Sequence, residues 1–143
     1  MATIERAIEL AARAHAGQTD KGGHPYILHP LRLMLAVQGT EARIAAVLHD
    51  IVEDTPVTFD DLRREGFAPE IVEAVRALTK FEGETRVEAA TRIARNPIAR
   101  EVKLADIADN MDLSRIPAPT PRDFERLEEY EAARRILLAS LGA

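Results

Sequence analysis

The chain has 143 residues, 46% of them hydrophobic and 30% charged, the proportions of an ordinary globular domain near the modal domain size. Nineteen basic against 24 acidic residues leave a net charge of −5, which argues against a nucleic-acid polymer as partner, because such partners select a basic surface. The absence of cysteine excludes disulfides, thiolate metal ligands and a cysteine nucleophile.

No apolar run approaches the roughly 20 residues needed to span a bilayer. The N-terminal "MATIERAIELAARAHAG" lacks the basic start and unbroken apolar stretch of a secretory signal. A single cytoplasmic domain over residues 1–143, with no membrane partner, is the expectation. Four Phe and two Tyr offer little for stacking the bases of a single strand. A small anionic substrate stays open, provided that a metal ion offsets the local carboxylates.

Taken in order, the chain reads as helices with short punctuation, so the predicted class is all-α, a bundle of about seven to eight helices. Residues 2–16 form an amphipathic helix with Ile4, Ile8, Ala11 and Ala12 at helical spacing. "GQTDKGGHPY" is a Gly-rich loop. Pro30 suits the first position of a short helix that ends near Gly39. A third helix runs from about Glu41 to Val52 and stops at Thr55-Pro56, since the residue before proline disfavours the α region. In "TFDDLRREGF", Thr58 caps a helix, Asp61 follows three residues on, and Gly66 stops it. "PEIVEAVRALTK" is amphipathic, with Ile71, Val72, Val75 and Leu78 on its apolar face. Two more helices, over 84–95 and 97 to about 113, part at Asn96-Pro97. After the connector "IPAPTP", a last helix over about 121–141 places Phe124, Leu127, Ile136 and Leu137 inward.

The third helix carries the densest chemistry. Projected at about 100° per residue, Ile44, Val47, Leu48, Ile51 and Val52 share an arc of about 140°, while His49, Asp50, Glu53 and Asp54 share another. Charged residues opposite a core stripe are also what a solvated face looks like. His29, in "PYILHP", is by itself as consistent with a helix cap or a packed core residue. Asp106 and Asn110, in "VKLADIADNM", lie four apart on a face shared with Lys103. Together, two histidines and two aspartates from three helices suit a divalent first-row metal with nitrogen and oxygen ligands. Phosphate-loop, nucleophile-elbow and His-Glu-x-x-His motifs are absent from the sequence.

Three stretches in order, "AHAGQTDKGGHPYILHP", "AAVLHDIVEDT" and "VKLADIADNM", resemble the HD-domain phosphohydrolases. Within them the resemblance is to the hydrolase domain of Rel/SpoT-type alarmone enzymes and its small stand-alone relatives, and it spans roughly residues 10–115. It implies an all-α bundle, with His29, His49, Asp50 and Asp106 as metal ligands and Mn²⁺ as the usual ion. It also implies that Glu53 and Asp54 position and deprotonate the attacking water, and that Asn110 contacts the nucleotide. The implied reaction is hydrolysis of the 3′-pyrophosphate of (p)ppGpp to GDP or GTP and pyrophosphate. Lys21 is a candidate contact for outer phosphates, whereas Arg32 reads more simply as a solvated surface residue. A chain of this length is expected to have no room for the synthetase domain of long Rel enzymes.

Four positions depart from the family pattern. Asp20 stands where an arginine often faces the guanine base, and Gly22 where a serine is common. Ile107 replaces the arginine after the metal aspartate, and Asp109 replaces the usual histidine before the asparagine. These departures leave two alternatives open: an HD phosphohydrolase acting on a nucleoside phosphate or NADPH, or a non-catalytic nucleotide-binding module.

Overall fold

Short polar side chains set where this chain's helices begin. In the computed structural model, which describes residues 1–142, Thr58, Thr85 and Thr120 each accept from the backbone N–H three residues on. Asp61, Glu88 and Asp123 return the bond to the cap residue's own N–H. The expected Thr58–Asp61 pair is one of these three.

Nine α-helices form among the described residues: α1 (Ile4–Ala14), α2 (Leu28–Ala36), α3 (Thr40–Leu48), α4 (Ile51–Asp54), α5 (Phe59–Arg64), α6 (Pro69–Leu78), α7 (Arg86–Ile93), α8 (Pro97–Asn110) and α9 (Pro121–Ala139). Short 3-10 turns follow at Leu113–Arg115 and Ser140–Gly142. Among the described residues there is no strand, only an isolated bridge between Thr19 and Pro25. The all-α reading holds.

α3 is the axis of the fold. Ala42, Ile44, Ala45, Ala46, Val47 and Leu48 are all buried, and the helix packs against α1, α2, α6 and α8. Its alanine side, Ala42, Ala45 and Ala46, joins Leu33, Val37, Val102, Ile107 and Leu137 in one core cluster. Its larger side, Ile44, Val47 and Leu48, joins Ala7, Ala11, Leu62, Ile71 and Val75 in a second. Each Val, Leu or Ile buried in this way contributes about 1.5–3 kcal/mol. Methyl-sized side chains on the alanine face let α2 and α8 come close, and those two helices carry His29 and Asp106.

Several local expectations change. The helix expected over 41–52 breaks at His49-Asp50: Asp50 adopts φ −105°, ψ 0°, the sparsely populated bridge region. With α4 taken as the continuation of α3, the helices number eight. α2 starts two residues before Pro30, because a turn at Pro25–His29 (Leu28 N–H to Pro25 O, 3.2 Å; His29 N–H to Tyr26 O, 2.9 Å) already winds the chain. Phe124 is exposed, as is Ala12. In α9 the buried stripe runs through Asp123, Ala133 and the expected Leu137. The inward place in its first turn belongs to Asp123, whose carboxylate completes the cap and meets Lys21 and Arg126.

Candidate functional site

His49 closes α3. Its Nδ1–H donates to the Ala46 carbonyl at 2.8 Å, which fixes the tautomer and leaves a lone pair on Nε2. That Nε2 is buried and makes no hydrogen bond with any described residue. It faces Asp50 Oδ2 at 3.0 Å and Asp106 Oδ1 at 3.7 Å. A lone pair set against carboxylate oxygens in a dry pocket is unfavourable unless something positive lies between them. The donor set of two imidazoles and two carboxylates therefore fits a divalent first-row cation.

His29, in the first turn of α2, comes from the opposite side. Its Nε2 lies 2.9 Å from Asp106 Oδ1 and its Nδ1 2.6 Å from Asp109 Oδ2. Ligand atoms of His29, His49 and Asp50 all lie within 4.8 Å of one another. Asp106 borders that group through its contacts to both imidazoles and is itself buried, although by its spacing on α8 an aspartate there reads as a surface residue. Lys103 Nζ donates to its Oδ2 at 2.9 Å and Asn110 Nδ2 to its Oδ1 at 3.0 Å.

Charge in the pocket is divided unevenly. Burial, then the charges of Asp106, Asp54 and Glu53, push Asp50 well above the usual carboxylate range. Burial opposes ionisation of Asp106 too, but the charge of Lys103 and the hydrogen bond from His29 outweigh it and hold Asp106 well below that range. Burial likewise works against a charged His29, yet its bonds to Asp106 and Asp109 lift its pKa to about 9. The site is built to hold positive charge at that point.

One helical turn beyond, the carboxylates of Asp50, Glu53 and Asp54 gather within 4.8 Å of one another. Glu53 accepts from the backbone N–H of Lys80 at 3.0 Å. Partial burial and the Glu53 charge push Asp54 upward. Its backbone carbonyl accepts from Gln18 Nε2 at 3.0 Å, and Gln18 Oε1 in turn meets His15 Nδ1 at 2.7 Å.

Two clefts meet at this centre, sharing Asp50, Glu53, Lys103, Asp106 and Tyr130. One, of about 440 Å³, is lined by Lys21, Asn110, Arg32 and Arg115. The other, of about 780 Å³, is lined by Lys80, Arg86, Arg92 and Arg122. Lys21 lies at the mouth of the smaller cleft, with Nζ 3.2 Å from Asp123 Oδ1.

The departures acquire physical reasons. Asp20 lines the smaller cleft and also locks the Gly-rich loop: its Oδ1 accepts the N–H of Gly22 and of His24, both at 2.9 Å. A Cβ at Gly22 would stand 2.2 Å from the Arg115 carbonyl oxygen, so any side chain there would prise the loop off the 3-10 turn. Arg32 is not a solvated surface residue; it forks onto Asp109 through Nε at 2.8 Å and Nη2 at 3.0 Å. Sequence reasoning missed Tyr26, whose hydroxyl donates to Asp50. It also missed Asp109 as the partner of His29. The i, i+3 spacing from Asp106 was the available signal for Asp109, while Tyr26 had none beyond its place in the loop.

Comparison with known proteins identifies the family and several relatives. The family described as "HD domain" matches residues 7–141. The chain is 38% identical, over 94% of its length and 16% of the relative's, to a protein named GTP pyrophosphokinase from Streptomyces coelicolor. It is 36% identical, over 76% of its length and 17% of the relative's, to a guanosine-3′,5′-bis(diphosphate) 3′-pyrophosphohydrolase from Aquifex aeolicus. The chain thus spans less than a fifth of either relative. A solved structure described as "A metazoan ortholog of SpoT hydrolyzes ppGpp and plays a role in starvation responses" superposes with a TM-score of 0.78 at 26% identity, covering 99% of this chain and 86% of that one.

Proposed function

The chain belongs to the HD-domain family, and from that premise we propose that it is a metal-dependent phosphohydrolase that cleaves the 3′-pyrophosphate of (p)ppGpp. Water enters, and GDP or GTP and pyrophosphate leave. The single observation that carries the reading is the buried, unpaired Nε2 of His49, turned toward the oxygens of Asp50 and Asp106 with His29 alongside. The named activities of the Aquifex relative and of the metazoan structure support the substrate.

His29, His49, Asp50 and Asp106 would hold the cation, with Mn²⁺ as the proposed ion. When bound, it supplies Lewis acidity toward a phosphoryl oxygen and lowers the pKa of water. Glu53 and Asp54 orient the attacking water and accept its proton; the upward push on Asp54 brings its basicity closer to neutral pH. Lys21 and Asn110 bind the nucleotide from the smaller cleft. Lys103, half-buried beside Asp106, keeps that carboxylate ionised.

One observation favours a second substrate class. The Asp20 side chain lines the smaller cleft with its Oδ1 tied to the loop backbone, so position 20 presents a carboxylate to that cleft where the family often has an arginine, and another nucleotide such as NADPH or a nucleoside phosphate is the rival. Steady-state turnover of ppGpp, NADPH and nucleoside phosphates with Mn²⁺ separates the two. We expect stoichiometric GDP and pyrophosphate from ppGpp. Negligible ppGpp turnover beside rapid phosphate release from another nucleotide would overturn the assignment.

A further inference from the structure

α2 and α8 meet through two pairs of residues at the same spacing. His29 and Arg32 lie three apart on one face of α2, and Asp106 and Asp109 lie three apart on the facing side of α8. His29 sits between the two aspartates, one on each ring nitrogen. Asp106 takes the nitrogen that faces His49, and Asp109 takes the nitrogen that faces away from it.

Every acceptor site of Asp109 is occupied. Its Oδ2 receives His29 Nδ1 at 2.6 Å and Arg32 Nη2 at 3.0 Å. Its Oδ1 receives Arg32 Nε at 2.8 Å and lies 3.3 Å from Arg115 Nη2. Arg115 Nη2 also donates to the Asp109 backbone carbonyl at 2.8 Å. A carboxylate clamped by two guanidinium groups has one orientation, and that orientation aims Oδ2 at His29.

We propose that Asp109 is the positioning residue for His29: by accepting Nδ1–H it keeps the Nε2 lone pair toward the candidate metal, with Arg32 and Arg115 clamping the carboxylate. The proposal rests on the reading of His29 as a metal ligand. An imidazole bound to a cation through Nε2 keeps a proton only on Nδ1, and an anionic acceptor at that proton fixes the ring and strengthens the ligand. Arg32 and Arg115 neutralise the added carboxylate, so the device brings orientation without a further net negative charge behind the ligand set. It also accounts for this chain's departure at position 109. A histidine there would leave both arginines without their carboxylate, so residues 32, 109 and 115 form one set.

Mn²⁺ calorimetry on the full chain tests this, comparing wild type with Asp109→Asn and His29→Ala. Asn presents an NH₂ to Arg32 or to His29 whichever way it turns, and Asp109→Asn is expected to weaken Mn²⁺ binding by about 10–100-fold with the thermal melt still cooperative. A change within about twofold overturns the proposal. If His29→Ala loses Mn²⁺ while Asp109→Asn keeps it, the positioning role alone falls. If His29→Ala binds as wild type does, the ligand reading fails and takes the proposal with it. A second readout needs no variant. In the Zn²⁺-loaded wild type, ¹⁵N spectra should show His29 protonated at Nδ1 with that proton slow to exchange, and protonation at Nε2 instead would overturn the proposal even if Asp109→Asn did not fold.

Discussion

Asp50 concentrates the conflict that this site contains. It is half-buried beside Asp106, Asp54 and Glu53, and desolvation and these charges all disfavour its ionised form. Tyr26 is its one hydrogen-bond donor from the loop. Replacing it with the isosteric amide removes the repulsion and keeps an acceptor for Tyr26. Asp50→Asn is therefore expected to stabilise the metal-free protein at neutral pH by about 1 kcal/mol, at the expense of metal binding. Urea denaturation with and without Mn²⁺ checks both halves. A less stable variant, or one that Mn²⁺ still stabilises as it does wild type, would count against the charge assignment. Arg32 teaches the converse lesson: it reads as solvated because nothing in its own helix pairs with it, and its partner Asp109 lies 77 residues away.

The break between α3 and α4 is what lets two adjacent residues serve one centre. On a continuous helix His49 and Asp50 would diverge by about 100°; with Asp50 in the bridge region, His49 Nε2 and Asp50 Oδ2 stand 3.0 Å apart. The segment joining α6 to α7 adds a second constraint. Arg92 forks onto Glu84 with both contacts at 2.9 Å, donates to the carbonyls of Ala77 and Thr79, and covers the Phe81 ring. The same segment offers Lys80 N–H to Glu53. The Arg92 hydrogen bond, against opposing burial, holds Glu84 below its ordinary 4.5. A depressed acid stabilises the closed segment above that ordinary value, and the contribution fades as pH falls through the folded-state value. Hydrogen-exchange protection of residues 80–84 should thus hold above pH 4.5 and drop as the pH falls below it. Arg92→Gln should show the low-protection pattern throughout and a reduced kcat, because Glu53 loses its anchor. Protection that ignores both pH and the substitution would refute the coupling.

At the scale of the molecule, the candidate ligands come from α2, the α3–α4 junction and α8, so one cation would tie together the helices on both sides of the core. Binding to the folded state alone stabilises by about 2.7 kcal/mol at a hundredfold excess over Kd. Mn²⁺ should accordingly raise the thermal midpoint by on the order of 10 °C, and a chelator should reverse it. A midpoint indifferent to both would argue that the cluster holds no metal in the native fold.

Local rules were enough to read much of this protein. Caps such as Thr58–Asp61, the proline at Asn96-Pro97, and the apolar stripes of α3 and α6 depend on neighbours within a turn or two, and they fixed the all-α class. Motif order brought out His29, His49, Asp50, Asp106, Glu53 and Asp54 as a set, and the fold gathers these side chains around one centre. Phe124 went astray because its helix rotates to bury Asp123, whose partner Lys21 lies on a distant segment. The bend at Asp50, the bond of Tyr26, the clamp on Asp109 and the close approach of Gly22 to Arg115 were likewise decided by tertiary structure. The last three are contacts between segments apart in the chain, and helical periodicity carries no information about which distant face will arrive.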